Sequence, residues 1–236
     1  MEITEDYQML LSTISHEIRN PVTLINSYLQ LLSGSHPEII SCSYWDTIQS
    51  EMMHLRLLLG DISSYQNGLL LRTLPTDMHL WLLEYIDAIT PLLNEYPQVQ
   101  FTYEIKENLP TLELDVCRFR QVMDNLVRNA LEALALSCSG SPEAAKQPQY
   151  PPQLHLKAFA KEDSLFISVM DNGCGISPEQ LSTLFDPFVT HKPGGTGLGL
   201  SIARRIIDAH DGNLTVTASD SNMTAFEIQL PVKSRH

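Results

Sequence analysis

The run LFISVMDNGCGI, residues 165–176, decides how the larger part of this chain folds. Leu165–Met170 is a short, almost continuously apolar segment and reads as a buried strand. It ends on Asp171, and Gly173 and Gly175 then let the backbone turn and approach a neighbour closely. Residues 153–160 read as a strand before it. A glycine-rich stretch, a helix from about 197 to 210 and strands at 212–218 and 223–230 follow. Upstream, Leu80, Leu83, Ile86 and Leu93 mark a helix over 76–96, with a strand at 99–105 and a helix at 115–136. Helices and strands mixed in this way predict a two-layer α/β sandwich over residues 76–236. The Gly-, Ser- and Pro-containing stretch 137–152 reads as a flexible insertion.

The first part of the chain has another periodicity. Leu11, Ile14, Ile18, Val22, Ile25, Leu29 and Leu32 recur in steps of three and four, one stripe along a long helix. Ser33-Gly34-Ser35-His36-Pro37 breaks it. Trp45, Ile48, Met52, Leu55, Leu59 and Ile62 then keep heptad spacing on a second helix. Residues 1–70 therefore read as a helical hairpin. Such a hairpin cannot bury both stripes alone, so a dimeric four-helix bundle is expected. A hinge is expected near 68–76.

The chain has 236 residues and a net charge of −13. That acidic balance argues against a nucleic-acid partner. No apolar run approaches the ~20 residues of a membrane span, and the acidic start MEITEDYQ is unlike a secretion signal. Cys42, Cys117, Cys138 and Cys174 form no C-x-x-C pair, which suits free thiols in a reducing cytoplasm.

His16 lies in SHEIRNP, residues 15–21. It is two residues from both Ile14 and Ile18, so it points roughly 160° away from the apolar stripe. A neutral imidazole there is a nucleophile within reach of a second domain. Glu17 suits acceptance or orientation of its proton. Asn20, one turn on, suits the holding of a water. Pro21 removes a helical hydrogen bond and is expected to bend the helix. The other seven histidines, at 36, 54, 79, 155, 191, 210 and 236, are expected on the surface or in loops.

Four later stretches carry chemistry. DNLVRNALEA, 124–133, puts Asn125 and Asn129 on one helix face, and amide oxygens suit Mg²⁺. Asp171 at its strand end suits an exocyclic amine such as adenine's. LFDPFVTHK, 184–192, carries Phe185 and Phe188, fit to anchor a mobile segment. GGTGLGLSIA, 194–203, bunches glycines before a helix, where backbone N–H groups hold phosphates. It is neither a dinucleotide fingerprint nor a P-loop. Each stretch alone has a plain structural reading: a polar helix face, a tight turn, a core pair of aromatics.

In this order, SHEIRNP and the four stretches resemble the H, N, G1, F and G2 boxes of sensor histidine kinases of two-component systems, over roughly residues 5–232. The resemblance implies a HisKA-type hairpin followed by an ATP-binding domain of the fold shared with gyrase B, Hsp90 and MutL. It implies His16 as phosphoacceptor, Glu17 as its proton partner and Asn20 in phosphatase action. It implies a nucleotide site of Asn125, Asn129, Asp171, Gly173, Gly175, Lys192, Gly195, Thr196, Gly197, Leu198 and Gly199, with Asn129 on Mg²⁺. Phe185 and Phe188 would flank an ATP lid from about Ile176 to Gly195. Many members carry Lys or Arg where this chain has Glu132, so phosphate contacts are expected to rest more on Lys192 and Arg128. The expected cofactors are ATP and Mg²⁺. The expected partners are a second copy of the chain and a response regulator, in the cytoplasm, either as a free protein or as part of a membrane-bound sensor. The competing expectations are an ATPase of the same superfamily that is not a kinase, a degenerate scaffold, and a protein acting mainly as a phosphatase.

Overall fold

A computed structural model of the chain describes residues 5–49, 51–52, 55, 59–60, 70–138, 151–190, 195–219 and 223–232. It divides into two compact units: residues 1–68 with Thr190–Leu198, and Leu69–Val189 with Gly199–His236.

In the first unit, helix α1 spans Glu5–Ser35 and runs on through Pro21. It stops where His36 leaves helical geometry and Pro37 starts a short 3-10 turn, Pro37–Ser41. The described residues between 45 and 60 are helical and form α2. Val22, Met52 and Leu59 are buried together, with Leu29 packed against them. The expected stripes are thus split. Alternate positions face inward, while Ile18, Ile25 and Leu32 on α1 and Ile48 and Leu55 on α2 stay 39–49% exposed. The side chains of Leu11 and Ile14, and all of Ile62, lie outside the described residues.

The second unit is an α/β sandwich. A five-stranded sheet runs β2-β4-β5-β7-β6, with β2 Gln100–Ile105, β4 Gln153–Lys161, β5 Ser164–Asp171, β6 Asn213–Ser219 and β7 Thr224–Pro231. β2 and β4 are parallel and the other neighbours antiparallel. Alternation decides the faces. Leu154, Leu156 and Ala158 of β4 are buried, whereas His155, Lys157 and Phe159 between them are only half-buried. The covered face carries α3 Met78–Asn94, α4 Val116–Cys138 and α6 Gly199–Ala209. The core lies between the layers, where Leu126, Leu131 and Leu134 of α4, Ile206 and Ile207 of α6, and Leu165, Ile167 and Ile228 of the sheet are all buried. Each such side chain contributes about 1.5–3 kcal/mol by leaving water.

Three elements escape the hydrophobic pattern. β1 Leu74–Asp77 pairs antiparallel with β3 Thr111–Leu114 in a separate two-stranded sheet. α5 Pro178–Thr183 starts at a capping box of Ser177 and Gln180. Of the expected insertion, residues 137 and 138 belong to α4, and 139–150 lie outside the described residues. Among the described residues, no helix is long and apolar enough to cross a membrane.

Candidate functional site

Helix α4 is the spine of the site in the α/β unit. Asn125, Asn129 and Ala133 are each four residues apart and share one face. At one end, Asn125 Nδ2 donates to the Gly199 carbonyl at 2.9 Å. At the other, Gly173 lies so close that a Cβ there would meet the Ala133 carbonyl carbon at 2.8 Å. Asn129, half-buried, stands between these two anchor points, about 6 Å from each along the helix. The fold therefore brings together Asn125, Asn129, Asp171, Gly173 and Gly199, which the chain spreads over 75 positions.

Asp171 is 3% exposed. Its Oδ1 accepts the Gly173 N–H at 2.9 Å, which orients the carboxylate at the strand end. A Cβ at Gly173 would also meet this oxygen at 2.8 Å, so only glycine fits. Gly175 takes φ 73°, in the left-handed region. Cys174, between the two glycines, is exposed. Gly199 leaves ordinary contact distance, 3.6 Å, to Asn125, and the first turn of α6 begins there.

The remaining expected residues are placed as follows. The Thr196 hydroxyl accepts the Leu198 N–H at 3.0 Å, and Gly197 has φ 65°. Gly195 is exposed. Lys192 and its neighbours 191–194 lie outside the described residues. Phe185 is half-buried under the Arg204 guanidinium, 4.6 Å from ring centroid to Cζ. Phe188 is 45% exposed and takes φ 65°, a conformation rare for an aromatic residue. Helix α5 occupies part of the expected lid. In the helical unit, His16 lies within α1, its side chain outside the described residues. Glu17 and Asn20 are exposed on the same helix.

The electrostatics of α4 differ between its faces. Burial, reinforced by the negative charge of Asp124, pushes the Tyr85 phenol far above its usual value. Tyr85 Oη is buried without a hydrogen-bond partner, the Asp124 carboxylate being near it but outside bonding geometry. Arg128 is exposed, and its charge acts on Tyr85. Among the described residues no cluster of three or more His, Cys, Asp or Glu side chains is poised for a metal. The amide oxygen of Asn129 fits a cation that takes few protein ligands and shares phosphate oxygens and waters, as Mg²⁺ does.

One expectation needs correction. His210 does lie in the turn after α6, but it is 8% exposed and so buried, not on the surface. Its Nδ1–H donates to the Ile206 carbonyl at 2.7 Å, and its Nε2 accepts the Asp115 N–H at 3.0 Å. A histidine read alone gives no sign of a partner 95 positions away. Asp115 was readable in part, since an Asp directly before a helix is a common cap. The contact of Ala133 with Gly173 and that of Arg204 with Phe185 carried no signal in the sequence.

Comparison with known proteins places both units. Residues 7–68 match the His Kinase A (phospho-acceptor) domain model. Residues 115–234 match that of the histidine kinase-, DNA gyrase B- and HSP90-like ATPases. The alginate biosynthesis sensor protein KinB of Pseudomonas aeruginosa is 32% identical over 92% of this chain and 36% of its own length. The sensory histidine kinase/phosphatase NtrB of Salmonella typhimurium is 33% identical over 95% of this chain and 62% of its own length. The chain thus spans only part of each of these relatives. Full-length ShkA, crystallised with AMPPNP, shares the fold with a TM-score of 0.74 at 24% identity, over 94% of this chain and 45% of that one. ThkA in complex with the response regulator protein TrrA shares it with a TM-score of 0.64 at 24% identity, over 95% of this chain and 61% of that one. With a phospho-acceptor helical hairpin followed by an ATPase sandwich, the chain belongs to the sensor histidine kinases of two-component systems.

Proposed function

We propose that this chain uses ATP to phosphorylate its own His16 and then passes the phosphoryl group to an aspartate of a response regulator. The observation that carries the reading is the α4 face. Two asparagines, a buried carboxylate, the tightly packed Gly173, and Gly199 converge on one surface, in a chain whose first helix carries SHEIRNP.

In this reading Asp171 accepts a hydrogen bond from the adenine amine, and the close backbone at Gly173 and Gly175 lets the base lie flat against it. The amide of Asn129 would hold Mg²⁺, which when bound offsets phosphate charge. Gly195 to Gly199, leading into α6, offer backbone N–H groups to the phosphates. His16 attacks the γ-phosphorus. The new bond joins nitrogen to phosphorus, the bond to the bridging oxygen breaks, and ADP leaves. Glu17 takes or holds the imidazole proton. Positioning and electrostatics supply most of the rate. A second copy of the chain covers the exposed leucines and isoleucines of the hairpin, and the reducing cytoplasm suits its exposed free thiols.

The test is incubation with γ-labelled ATP. Acid-labile, base-stable label should appear on wild type and vanish in His16→Gln. Equal labelling of the two would sink the reading, and no label on either would favour a plain ATPase.

Asn20, exposed one turn from His16, supports a second activity, removal of phosphate from the regulator; NtrB is described as both kinase and phosphatase. Asn20→Ala should keep autophosphorylation and slow loss of phosphate from a phosphorylated receiver domain by tenfold or more. Unchanged loss would exclude this role.

A further inference from the structure

Helices α4 and α6 are cross-tied at two points, at the start and the middle of α4 and at the two ends of α6. At the nucleotide end, Asn125 binds the Gly199 carbonyl. At the other, the Asp115 N–H binds His210 Nε2. Asp115 to Asn125 is ten residues and Gly199 to His210 eleven, so at 1.5 Å per residue the two ties stand about 15–16 Å apart on both helices. The helices therefore run antiparallel, as a braced pair.

The far tie holds more than the helices. Asp115 Oδ1 caps α4 by accepting the Arg118 N–H at 3.1 Å, and its Oδ2 accepts the Arg72 N–H at 2.9 Å. Arg72 belongs to the irregular segment 70–73 by which the chain from the helical unit enters the sandwich. Burial works against the Asp115 charge, but the two backbone N–H donors and the nearby Arg118 charge outweigh it and hold the carboxyl below its usual range. His210 has both ring nitrogens committed, Nδ1–H to Ile206 and Nε2 to Asp115, which sets its tautomer. The same corner walls a cleft of about 520 Å³, with Leu71 and Thr73 on one side and Leu114, His210 and Leu230 on the other. The hydrogen bond to Asp115 ties Arg72 to the braced pair across 43 positions.

We propose that Asp115 and His210 are positioning residues: they clasp the incoming chain at Arg72 to the far end of the α4–α6 pair, and so set the rate of phosphoryl transfer without setting nucleotide affinity. The proposal rests on the kinase reading for its rate and on geometry alone for the clasp. The candidate nucleotide groups begin at the Asn125–Gly199 tie, and the incoming chain is held at the Asp115–His210 tie. A loosened clasp leaves Asn125, Asn129 and Asp171 in place, while the bound nucleotide is presented less often in line with its acceptor.

The decisive substitution is Arg72→Pro, which deletes the N–H donor, with Arg72→Ala as the control that removes only the side chain. Three quantities are measured on the full chain: the initial rate of His16 labelling at saturating ATP, the dissociation constant of ADP by calorimetry, and the exchange of the Arg72 amide in wild type and Asp115→Ala. Arg72→Pro should label at least fivefold more slowly with ADP affinity within twofold, and Arg72→Ala should match wild type. The Arg72 amide should exchange at least tenfold more slowly in wild type than in Asp115→Ala. His210→Gln, which keeps an acceptor for the Asp115 N–H, should retain more rate than His210→Phe. Equal rates for the two Arg72 variants, or rate and affinity falling by the same factor, would overturn the proposal. If Arg72→Pro does not fold, the two His210 variants decide it by the same rate-to-affinity split. A wild type that takes no label would defeat the kinase reading instead, and an unprotected Arg72 amide would then still refute the clasp.

Discussion

The two units solve opposite packing problems. In the sandwich the apolar pattern closes on itself. Phe119, Leu126, Leu165, Ile207 and Ile228 are all fully buried. In the hairpin only alternate positions find partners. Val22, Met52 and Leu59 are inside, while Ile18, Ile25, Leu31, Ile48 and Leu55 remain 40–68% exposed. The sandwich has what it needs to fold alone, and the hairpin does not, so concentration should matter to one unit and not to the other.

The largest effect expected from breaking this contrast is in the sandwich core. Leu126→Ala should cost about 2–5 kcal/mol, seen as a lower denaturation midpoint of the sandwich that is the same at every protein concentration. A concentration-dependent midpoint would mean that this unit also relies on a partner. Next comes Asp171→Asn. It exchanges an acceptor oxygen for a donor at a buried site and should weaken ADP binding at least 100-fold by calorimetry, while leaving the association state of the chain unchanged. In the hairpin, Ile25→Asp should weaken self-association by tenfold or more in sedimentation, with ADP binding unaffected; a variant that associates like wild type would show that the exposed row is not an interface. The smallest effect concerns pH. Asp115 has its carboxyl held below the usual value, near 3.8. Its stabilising contribution is therefore complete above that value and is lost as pH falls through the lower, folded-state one. Acid unfolding of the sandwich should be shallower in Asp115→Asn than in wild type.

The contrast also explains what the sequence made legible. The apolar pattern located β4 and β5 closely, β4 through its alternation and β5 through an almost continuous apolar run. It passed over Leu74–Asp77 and Thr111–Leu114, which are four residues long, one of them holding a proline. The stripes on α1 and α2 were visible, but periodicity cannot say which half of a stripe a hairpin hides. In the site, the spacing of Asn125 and Asn129 announced a shared face. Their partners did not show, because Gly199, Gly173 and, for Asp115, His210 are chosen by how distant segments pack. The short helix Pro178–Thr183 was readable from Ser177 and Gln180, a capping pair with no apolar stripe behind it to draw attention.

One corner of the sandwich has a consequence for how such proteins are assembled in evolution. Leu71 and Thr73, where the chain comes in, line the same cleft as Leu230 and Pro231, where the last strand finishes. A unit whose two ends lie side by side can be spliced into a host sequence as a cassette, or have its termini joined and reopened elsewhere, without disturbing its sheet. The ATPase half of this chain is in that sense a portable part.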